Sequence, residues 1–597
     1  DGSVVVQPGA HAVVGVEPDP LQNGGIPFDG ELVGPGTPMQ IRDWTLKAVL
    51  DGEVIFALPQ GEWDDPFGAS IQLDPTTGAS AAAQPERWCI ATNPLANGDF
   101  GSPGAENTWC SHLDHDEDGV SIDDGDCDDT DPLISPGLPE RWNGEDDDCD
   151  RITDELNPRL TGIGTLYGVD RHERMGMRSA FAVTDWDGDG TPTLAISRGG
   201  VGGRVVSFVD ASVLIGSDNP ITDVQQGTIG GGTTLSPTWL PRRQVDMDGD
   251  GDLDVTLVGS NRSALLWLID APPTGSAELT ADDAQLRVTG ESNTFREDAR
   301  GLLHLDMNGD TFLDTVISSP SHDSDSMGFS QDGWIRVLDL NDVEGDIDAK
   351  DVRLRAWQGA ESTGTGVTLA GDDLNGDGYD DLLFRTGDPR GAFGTSEVLW
   401  IAGGATLPES GATTDAAIAT FTGLGSLGAG SSGADMLIED FDADGSLDLL
   451  IGDPSAQAAH LFFDVGTQSG SIDVASADVT LTGISRFGVS LMWADVDGDG
   501  EADLRISDGE LASRDYSRVF IYDADTLLSG STVDVNQAKA FMQGPSETDA
   551  FGQWMWAGDL DNDPTRAELL IGSPGVDPTG AGFDQKGMIW VLPGGAL

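Results

Sequence analysis

The chain has 597 residues, with 104 acidic side chains against 30 basic ones and a formal net charge of −74. A field of this sign repels nucleic acid and anionic membrane surfaces, and it attracts divalent cations. No stretch approaches the roughly 20 consecutive apolar residues that a membrane-spanning helix needs. The sequence shows no signal-peptide pattern and opens at Asp1 rather than at methionine, so we interpret it as a processed or trimmed product.

The four cysteines fall into two local pairs, Cys89 with Cys110 and Cys127 with Cys149. Paired cysteines beside acidic loops predict two disulfides and an oxidising compartment, either extracellular or at the outer cell surface. The alternative is a cytosolic protein with four free thiols.

Residues 1–110 contain short alternating apolar runs that turn residues interrupt, which is an all-β pattern. The segments G-A-S-I-Q-L-D-P (68–75), R-W-C-I-A-T-N-P (87–94) and G-D-F-G-S-P-G-A-E-N (98–107) resemble the closing half of bacterial lamin-tail domains. Those domains are immunoglobulin-like β-sandwiches. Since the family's opening strands are absent before Asp1, the resemblance implies an incomplete sandwich.

Residues 111–157 form an acidic linker in which Asp114, Asp116 and Asp118 are spaced like the first ligands of a calcium loop. The linker is similar to the Asp/Cys-rich metal-binding motif of secreted bacterial proteins, although Trp142-Asn143 stands where that family carries a third cysteine. The resemblance implies a metal-binding linker. The alternative is a solvated, disordered linker, which dense charge favours.

Residues 158–597 contain seven copies of one acidic loop, repeated about every 60 residues. The copies at 246–254 (D-M-D-G-D-G-D-L-D) and 495–503 (D-V-D-G-D-G-E-A-D) carry carboxylates at positions 1, 3, 5 and 9 and glycine at position 6. This spacing wraps oxygens around one hard cation, and a flexible all-oxygen site favours Ca²⁺ over Mg²⁺. The alternative is a set of metal-free hairpin turns.

Five loops carry a complete set of oxygen ligands, and two do not. The complete sets are Asp246, Asp248, Asp250, Asp254; Asp306, Asn308, Asp310, Asp314; Asp373, Asn375, Asp377, Asp381; Asp440, Asp442, Asp444, Asp448; and Asp495, Asp497, Asp499, Asp503. The first copy has Asp185, Asp187 and Asp189, but Thr193 replaces the last carboxylate. The seventh has Asp559, Asp561 and Asp563, but Pro564 replaces the glycine and Glu568 comes one residue late. With the linker, we expect five to eight Ca²⁺ sites.

Each repeat reads as four strand-like segments, which predicts an all-β fold with a seven-bladed β-propeller over 158–597. The acidic loops, with Phe-Gly pairs such as Phe487-Gly488 and Gly-x-Pro elements, resemble the FG-GAP/integrin-alpha-type propeller. That resemblance implies an acidic, calcium-binding loop between the first two strands of each blade. The last repeat lacks an outer strand, and R-L-T-G at 159–162 matches the outer-strand pattern. We therefore predict that residues near 157–162 pair with the last repeat and close the ring.

The sequence offers no catalytic constellation. The seven histidines are scattered, no H-E-x-x-H or G-x-S-x-G motif occurs, and no lysine precedes serine or threonine. We therefore predict a non-enzymatic adhesion, ligand-binding or extracellular-assembly module whose calcium is structural. Its partner would be a protein or glycan at the cell surface, or other chains of an extracellular assembly. The alternative is a secreted polysaccharide lyase or hydrolase that uses the propeller face.

Overall fold

The computed structural model describes the strands of an N-terminal unit, part of the acidic linker and most of the repeat region. The described residues are 14–15, 30–31, 47–50, 53–57, 71–74, 88–91, 110–116, 118–136, 138, 146–149, 164–170, 173–176, 181–184, 191–199, 205–230, 237–239, 247, 254–261, 264–269, 278–279, 284–289, 301–320, 332–341, 343–360, 363–387, 396–404, 407–427, 434–496, 499–509, 516–544, 548–560, 567–577 and 585–593. Within these ranges the α-helices are single turns, namely α1 (Ile221–Val224), α2 (Thr413–Ala416) and α3 (Ala524–Leu527). No helix in them is long and apolar enough to cross a membrane.

The chain divides into two compact units, one of residues 1–138 with 146–151 and one of residues 139–145 with 152–597. The described strands of the first unit pair only in twos, β1 with β2, β3 with β4 and β5 with β6. They are β1 (Val14–Gly15), β2 (Gly30–Glu31), β3 (Lys47–Leu50), β4 (Glu53–Ala57), β5 (Ile71–Leu73) and β6 (Trp88–Ile90). These pairs do not show an immunoglobulin-like sandwich, which stays a prediction.

The second unit is an all-β propeller. Its strands are β7 (Gly164–Tyr167), β8 (Phe181–Thr184), β9 (Thr193–Arg198), β10 (Val205–Asp210), β11 (Asp218–Pro220), β12 (Gln225–Gly230), β13 (Pro237–Trp239), β14 (Val255–Asn261), β15 (Ala264–Ile269), β16 (Glu278–Leu279), β17 (Leu286–Thr289), β18 (Gly301–Leu305), β19 (Asp314–Ser319), β20 (Trp334–Leu338), β21 (Gly345–Asp348), β22 (Arg353–Gln358), β23 (Thr368–Asp372), β24 (Asp381–Arg385), β25 (Ser396–Ile401), β26 (Ser410–Ala412), β27 (Ala419–Leu424), β28 (Met436–Glu439), β29 (Asp448–Asp453), β30 (Ala458–Phe462), β31 (Gly470–Asp473), β32 (Val479–Thr482), β33 (Leu491–Ala494), β34 (Asp503–Ser507), β35 (Arg518–Tyr522), β36 (Thr532–Asp534), β37 (Ala540–Gln543), β38 (Trp554–Gly558), β39 (Glu568–Ser573) and β40 (Met588–Leu592).

The strands form sheets that we number by repeat. Their strand orders are β8-β9-β10-β12-β16 (sheet 1), β13-β14-β15-β17-β21 (sheet 2), β18-β19-β20-β22-β26 (sheet 3), β23-β24-β25-β27-β31 (sheet 4), β28-β29-β30-β32-β36 (sheet 5), β33-β34-β35-β37 (sheet 6) and β38-β39-β40-β7-β11 (sheet 7). Six are five-stranded blades, and the sixth repeat forms a four-stranded sheet. The prediction of a seven-bladed propeller with four strands in each blade is therefore wrong, since the described residues form six five-stranded blades.

Within each repeat, burial follows the position of the strand. Both β19 and β20 are buried along their whole length, as are β29 with β30 and β39 with β40, because neighbouring sheets cover both faces. Such strands need continuous apolar runs. The fourth strands β17, β32 and β37 alternate between buried and half-buried residues, since they lie at the periphery. In the described repeats the acidic loop joins the first two strands, for example β18 to β19, as the resemblance implied.

The cores lie between adjacent sheets. Leu461 and Leu481 of sheet 5 pack with Leu504 of sheet 6, and Val519 of sheet 6 packs with Ile571 of sheet 7. Other clusters join sheets 2 to 3, 3 to 4, 4 to 5 and 7 to 1 in the same way. Each sheet is therefore stabilised by its neighbours in the ring, as in other repeat architectures.

The fifth strands were not predicted. Each fifth strand belongs to the following repeat: in chain order it comes after the third strand of that repeat and before its fourth strand. In space it joins the preceding sheet, where it pairs in parallel with the fourth strand of that sheet. One example is β31, which comes between β30 and β32 of sheet 5 in chain order but pairs with β27 of sheet 4. Each fifth strand therefore links two neighbouring sheets through backbone hydrogen bonds.

The ring is closed by the N-terminal end of the repeat region. Strand β7 pairs antiparallel with β40, with Tyr167 opposite Met588 and Gly164 opposite Val591. This confirms closure by a strand that precedes the first repeat. The closing residues are 164–167, a few positions later than the expected 157–162, which lie outside the described residues. Leu166 explains the shift, because this fully buried side chain packs with Leu570 and Ile589.

Candidate metal centres

The acidic loop at 440–448 folds its backbone around its own carboxylates. Asp440 accepts hydrogen bonds from the N–H groups of Asp444 (3.0 Å) and Gly445 (2.9 Å). Asp442 accepts a second bond from the N–H of Asp444 (3.2 Å), and Asp444 accepts one from Ser446 (2.8 Å). Short aspartate side chains favour such local turns, so the alternating carboxylates themselves specify the loop.

The loops at 306–314 and 373–381 repeat this geometry. Thr311 and Gly378 each donate the position-6 N–H to the first carboxylate of the loop, at 2.9 Å in both cases. Position 6 has a left-handed backbone, with φ of +87° at Gly378 and +75° at Thr311. Glycine adopts this conformation freely, whereas a β-branched residue is strained there. We expected glycine at this position, and the loop at 306–314 forms without it.

The position-9 carboxylate is buried at the start of the second strand. Asp314, Asp381 and Asp448 are 3%, 0% and 1% exposed. Burial, followed by repulsion from the other loop carboxylates, raises the pKa of Asp314 to about 7 and the pKa values of Asp381 and Asp448 to about 6. One buried oxygen of Asp314 accepts no hydrogen bond. Such carboxylates fit a dication, which would favour their charged form.

The three carboxylates Asp440, Asp442 and Asp448 converge, with one oxygen from each lying within 4.8 Å of the others. In the other two loops position 3 is an asparagine, and the Nδ2 atoms of Asn308 and Asn375 lie 3.4 Å and 3.5 Å from the position-9 carboxylate. The amide lowers the negative charge of these loops by one. Among these three loops, the one at 440–448 brings its carboxylates together as the predicted ligand set requires.

The remaining loops are described in part. In the sixth, Asp495 accepts from Gly500 (3.0 Å) and Asp499 from Glu501 (2.8 Å), while Asp497 lies outside the described residues. In the second, Asp254 is described, and Asp246, Asp248 and Asp250 are not. In the first, Asp185, Asp187 and Asp189 lie outside the described residues. In the seventh, Asp559 is described, and Asp561 and Asp563 are not.

In the seventh loop, Glu568 stands one residue later than the predicted position 9, so it was not counted among the predicted ligands. Glu568 accepts a hydrogen bond from the N–H of Leu560 (2.6 Å). Asp448 accepts the equivalent bond from Phe441 (2.8 Å), and Asp254 accepts it from Met247 (2.6 Å). Glu568 also begins β39, as Asp448 begins β29. Its longer side chain therefore compensates for the one-residue displacement and occupies the position-9 place.

The linker brings more carboxylates together than the sequence suggested. One oxygen from each member lies within 4.8 Å of the others in two sets, Asp114 with Asp116 and Asp129, and Asp116 with Asp118 and Asp126. The predicted ligands Asp114, Asp116 and Asp118 are thus divided between two sets that share Asp116. Asp126 and Asp129 were not among the predicted ligands, although the dense G-D-C-D-D-T-D-P run was a signal for them.

The second linker set contains a buried and unsatisfied group. Asp126 is 3% exposed, its Oδ1 accepts from the N–H of Asp128 (2.8 Å), and its Oδ2 has no hydrogen-bond partner. Burial and then the charge of Asp116 raise the pKa of Asp126. Buried oxygens of Asp114 and Asp116 also accept no hydrogen bond. These oxygens fit a bound cation.

A histidine ties the linker to the N-terminal strands. His115 Nε2 lies 2.9 Å from Asp74 Oδ2, and His115 Nδ1 contacts Asp129. Asp74 also accepts from the N–H of Cys110 (2.8 Å). Burial lowers the pKa of His115, but its hydrogen bonds with Asp74 and Asp129 prevail, so the pKa lies above its usual value. A protonated His115 would partly neutralise the acidic surroundings.

Both predicted disulfides are confirmed. Cys89 is bonded to Cys110 and Cys127 to Cys149, with Cα–Cα distances of 5.5 Å and 5.6 Å. The first joins β6 to the start of the linker, and the second closes a loop within the linker. The described part of the linker is therefore cross-linked.

Comparisons with known proteins give one family match and one curated relative. Residues 126–155 match the family model Cu-binding MopE, described as "Putative metal-binding motif". The relative is a phosphatidylinositol-glycan-specific phospholipase D of Dictyostelium discoideum, 29% identical over 259 residues, which are 38% of this chain and 26% of the relative. The chain thus spans about a quarter of the length of the relative that it matches.

Among solved structures, the chain is similar to the WD40 domain of Toxoplasma gondii coronin, with 11% identity and a TM-score of 0.35 over 73% of this chain and 87% of that one. It is also similar to the Dos1 propeller, with 9% identity and a TM-score of 0.36 over 72% of this chain and 92% of that one.

Proposed function

We propose that this protein is a secreted or cell-surface calcium-binding module, in which Ca²⁺ is structural and the propeller presents a binding surface to a protein or glycan ligand. The observation that carries the proposal is the buried position-9 carboxylate, which recurs at Asp314, Asp381 and Asp448. A buried carboxylate in an acidic loop destabilises the metal-free fold, and a bound dication reverses that effect. Recurrence at the same place in successive repeats favours a structural role, because a reaction needs only one site.

The FG-GAP/integrin-alpha type of the propeller belongs to the same proposal. Its support is the position of the acidic loop between the first two strands and the all-oxygen ligand set of the described loops. The extracellular location is supported by the two disulfides and the linker motif. A lamin-tail-like sandwich over 1–110, followed by a metal-binding linker over 111–157, completes the proposed organisation.

A secreted hydrolase or lyase is the alternative, and the enzymatic name of the curated relative is the observation on its side. Three of the four described histidines give it little support, and the fourth, His112, is exposed. Burial lowers the pKa of His304 to about 4, and it also lowers the pKa of His460. His115 is engaged by two carboxylates. None of these three is placed like an accessible acid or base.

The metal part of the proposal is tested by counting and removing the metal. We expect elemental analysis of the full chain purified without chelator to find at least five Ca²⁺ per chain. We expect EDTA to lower the melting temperature, since each site contributes about 2.7 kcal/mol at a hundred-fold excess of Ca²⁺ over Kd. A thermal transition that EDTA leaves unchanged, in a protein without bound metal, would contradict the proposal.

The ligand-binding part is tested separately on the calcium-loaded protein. A glycan array and a panel of purified extracellular proteins should reveal a ligand whose binding is lost in EDTA and restored by Ca²⁺. Turnover of a polysaccharide or phospholipid by the same preparation, with no retained ligand, would support the enzyme instead.

A further inference from the structure

The acidic loops at 306–314 and 373–381 contact each other where sheet 3 meets sheet 4. The N–H of Asp306 donates to Asp380 Oδ2 (2.8 Å), and the N–H of Asp380 donates to the carbonyl of Asp306 (3.0 Å). Asp306 is the first predicted ligand of its loop. One residue of the loop at 373–381 therefore holds both backbone polar groups of a ligand residue in the neighbouring loop.

Asp380 and Asp381 are consecutive residues, but their side chains serve different loops. Asp381 begins β24, and the side chains of successive residues in a strand point to opposite faces. Asp381 Oδ1 lies 3.5 Å from Asn375 Nδ2 of its own loop. The carboxylate of Asp380 instead accepts the N–H of Asp306. Position 9 thus completes its own loop, while position 8 supports the loop at 306–314.

A polar residue at position 8 distinguishes the loop at 373–381 from the other complete loops, which carry Leu253, Leu313, Leu447 and Ala502 there. None of those side chains has a polar atom. The loops at 306–314 and 440–448 nevertheless form the turn in which the position-6 N–H donates to the first carboxylate. A carboxylate at position 8 is therefore not needed to fold a loop of this kind.

The residue before Asp380 makes a second contact between the two loops. A Cβ atom at Gly309 would lie 2.4 Å from Cε1 of Tyr379, so the aromatic ring lies directly against this glycine. Gly309 has φ of +76° and donates its N–H to Asp306 Oδ1 (2.7 Å). Tyr379 therefore covers the turn that wraps around the first carboxylate of the loop at 306–314.

A third connection joins the buried position-9 carboxylates of the two loops. Asp381 Oδ1 accepts the N–H of Gly403 (2.7 Å). The next N–H in the chain, that of Gly404, donates to the carbonyl of Met307 (2.8 Å). The N–H of Met307 in turn donates to Asp314. Short stretches of backbone thus link the last ligand of one loop to the last ligand of the other.

Asp380 lies between two groups that a bound cation would order. In acidic calcium loops a backbone carbonyl near position 7 and the carboxylate that ends the loop are both ligands. Tyr379 and Asp381 occupy these places, one on each side of Asp380. Once they are ordered, Asp380 is fixed as well, and it holds Asp306 in place before the neighbouring loop is filled. Less conformational entropy is then lost at the second site, which favours binding there.

We propose that Asp380 is a positioning residue that couples the loops at 306–314 and 373–381, so that Ca²⁺ bound in either loop raises the affinity of the other. This inference rests on the proposed function, since it concerns the regulation of the same calcium sites. The coupling is reciprocal, because linkage requires the same factor in both directions, and we expect a factor of about five or more.

The test is a Ca²⁺ titration of the full chain, followed by hydrogen exchange and mass spectrometry. The position-6 amides of Thr311, Gly378 and Gly445 each donate to the first carboxylate of their loop, so a peptide that contains one of them reports on one loop. The Ca²⁺ concentration at half-maximal protection is measured for each loop. Asp377→Asn is used to weaken binding in the loop at 373–381, because it removes one charged ligand.

The decisive measurement is the response of the loop at 306–314 to Asp377→Asn. Its half-maximal Ca²⁺ concentration should rise by at least about fivefold. In the background of Asp380→Leu, which copies Leu447, this rise should fall below about twofold, as in a double-mutant cycle that removes the coupling. In the background of Asp380→Asn the rise should persist, because the amide oxygen can still accept the N–H of Asp306.

The other neighbour of the loop at 373–381 is a matched control within the same experiment. The loop at 440–448 carries Leu447 at position 8, and this side chain cannot hydrogen-bond to the loop at 373–381. Asp377→Asn should therefore raise its half-maximal Ca²⁺ concentration by less than about twofold. Equal shifts in the two neighbouring loops would mean that charge alone acts between loops, which would overturn the proposal.

Two other results would overturn it. An unchanged half-maximal concentration for the loop at 306–314 in Asp377→Asn would show that the loops bind independently. A shift that is equally large in the Asp380→Leu background would show that Asp380 does not carry the coupling. Both results leave Ca²⁺-dependent protection intact. Failure of the proposed function would look different, since Ca²⁺ would then slow exchange at none of the three loops, and the coupling would be refuted with it.

Discussion

Asp314→Asn is expected to stabilise the metal-free protein, although it removes a predicted calcium ligand. The carboxylate of Asp314 is 3% exposed, and burial raises its pKa from 3.8 to about 7. Because its pKa is raised in the folded state, Asp314 contributes stability that is fully present below pH 3.8 and is lost as the pH rises through about 7. At pH 8 the shift of about three units corresponds to about 4 kcal/mol of lost stability, which the neutral asparagine avoids.

Calcium should cancel this advantage. Excess Ca²⁺ stabilises the wild-type loop by about 4.1 kcal/mol at a thousand-fold excess over Kd, whereas the variant has lost its ligand. The two proteins should then be about equally stable at that concentration. The assay is denaturant unfolding of both proteins at pH 5 and pH 8, in EDTA and in a Ca²⁺ series.

The comparison variant is Asp310→Asn in the same loop: Asp310 is exposed, and its charge is the largest cause after burial of the raised pKa of Asp314, so its removal should stabilise the metal-free protein at pH 8 less than Asp314→Asn does. An Asp314→Asn variant that is less stable than wild type in EDTA at pH 8 would refute the reasoning. So would an advantage of the same size at pH 5 and pH 8, since only the ionised carboxylate carries the cost.

Three further predictions concern other features of the propeller. Thr311→Gly should raise the free energy of unfolding by about 1 kcal/mol in denaturant titrations, because Thr311 has φ of +75°, and Gly378→Ala in the equivalent place should lower it. Asp508→Asn should gain stability over wild type as the pH rises from about 4 through 7, since burial raises the pKa of Asp508 to about 7; a difference independent of pH would contradict this. Leu166→Ala should destabilise the whole propeller by about 2–5 kcal/mol in calorimetry, since Leu166 is fully buried between sheets 7 and 1.

The convergence of carboxylates in the loop at 440–448 could be anticipated from the sequence, because a short-range rule governs it. Ligand spacing within nine residues is a local property, so Asp440, Asp442 and Asp448 could be identified without knowledge of the fold. Glu568 was the exception, because one extra residue in the loop is compensated by a longer side chain, which a fixed spacing does not describe. The start of β39 was the usable signal, since the loops at 306–314, 373–381 and 440–448 also end where a buried strand begins.

Long-range pairing explains most of what the sequence did not predict. The fifth strands are two to four residues long, and each pairs with a strand of another repeat, so no alternation within the segment reveals them. In the linker, Asp126 and Asp129 meet Asp116 through the fold of the segment and not through periodic spacing. Closure of the ring by a strand that precedes the first repeat was predicted correctly, because counting the strands of the last repeat shows that it lacks one. Its residues were shifted because burial of Leu166, rather than the R-L-T-G pattern, sets the register.

The pairing of β7 with β40 also sets an order of events during folding. The two strands lie roughly 420 residues apart in the chain, so this is among the most distant contacts in the molecule. During synthesis β7 emerges early and stays without its partner until the last repeat has left the ribosome. Sheet 7 is therefore the last to be completed, and β7 and β11 must wait through the folding of all the other sheets. A chaperone that covers this strand, or rapid synthesis of the last repeats, would shorten the time during which one newly made ring can pair with the open edge of another.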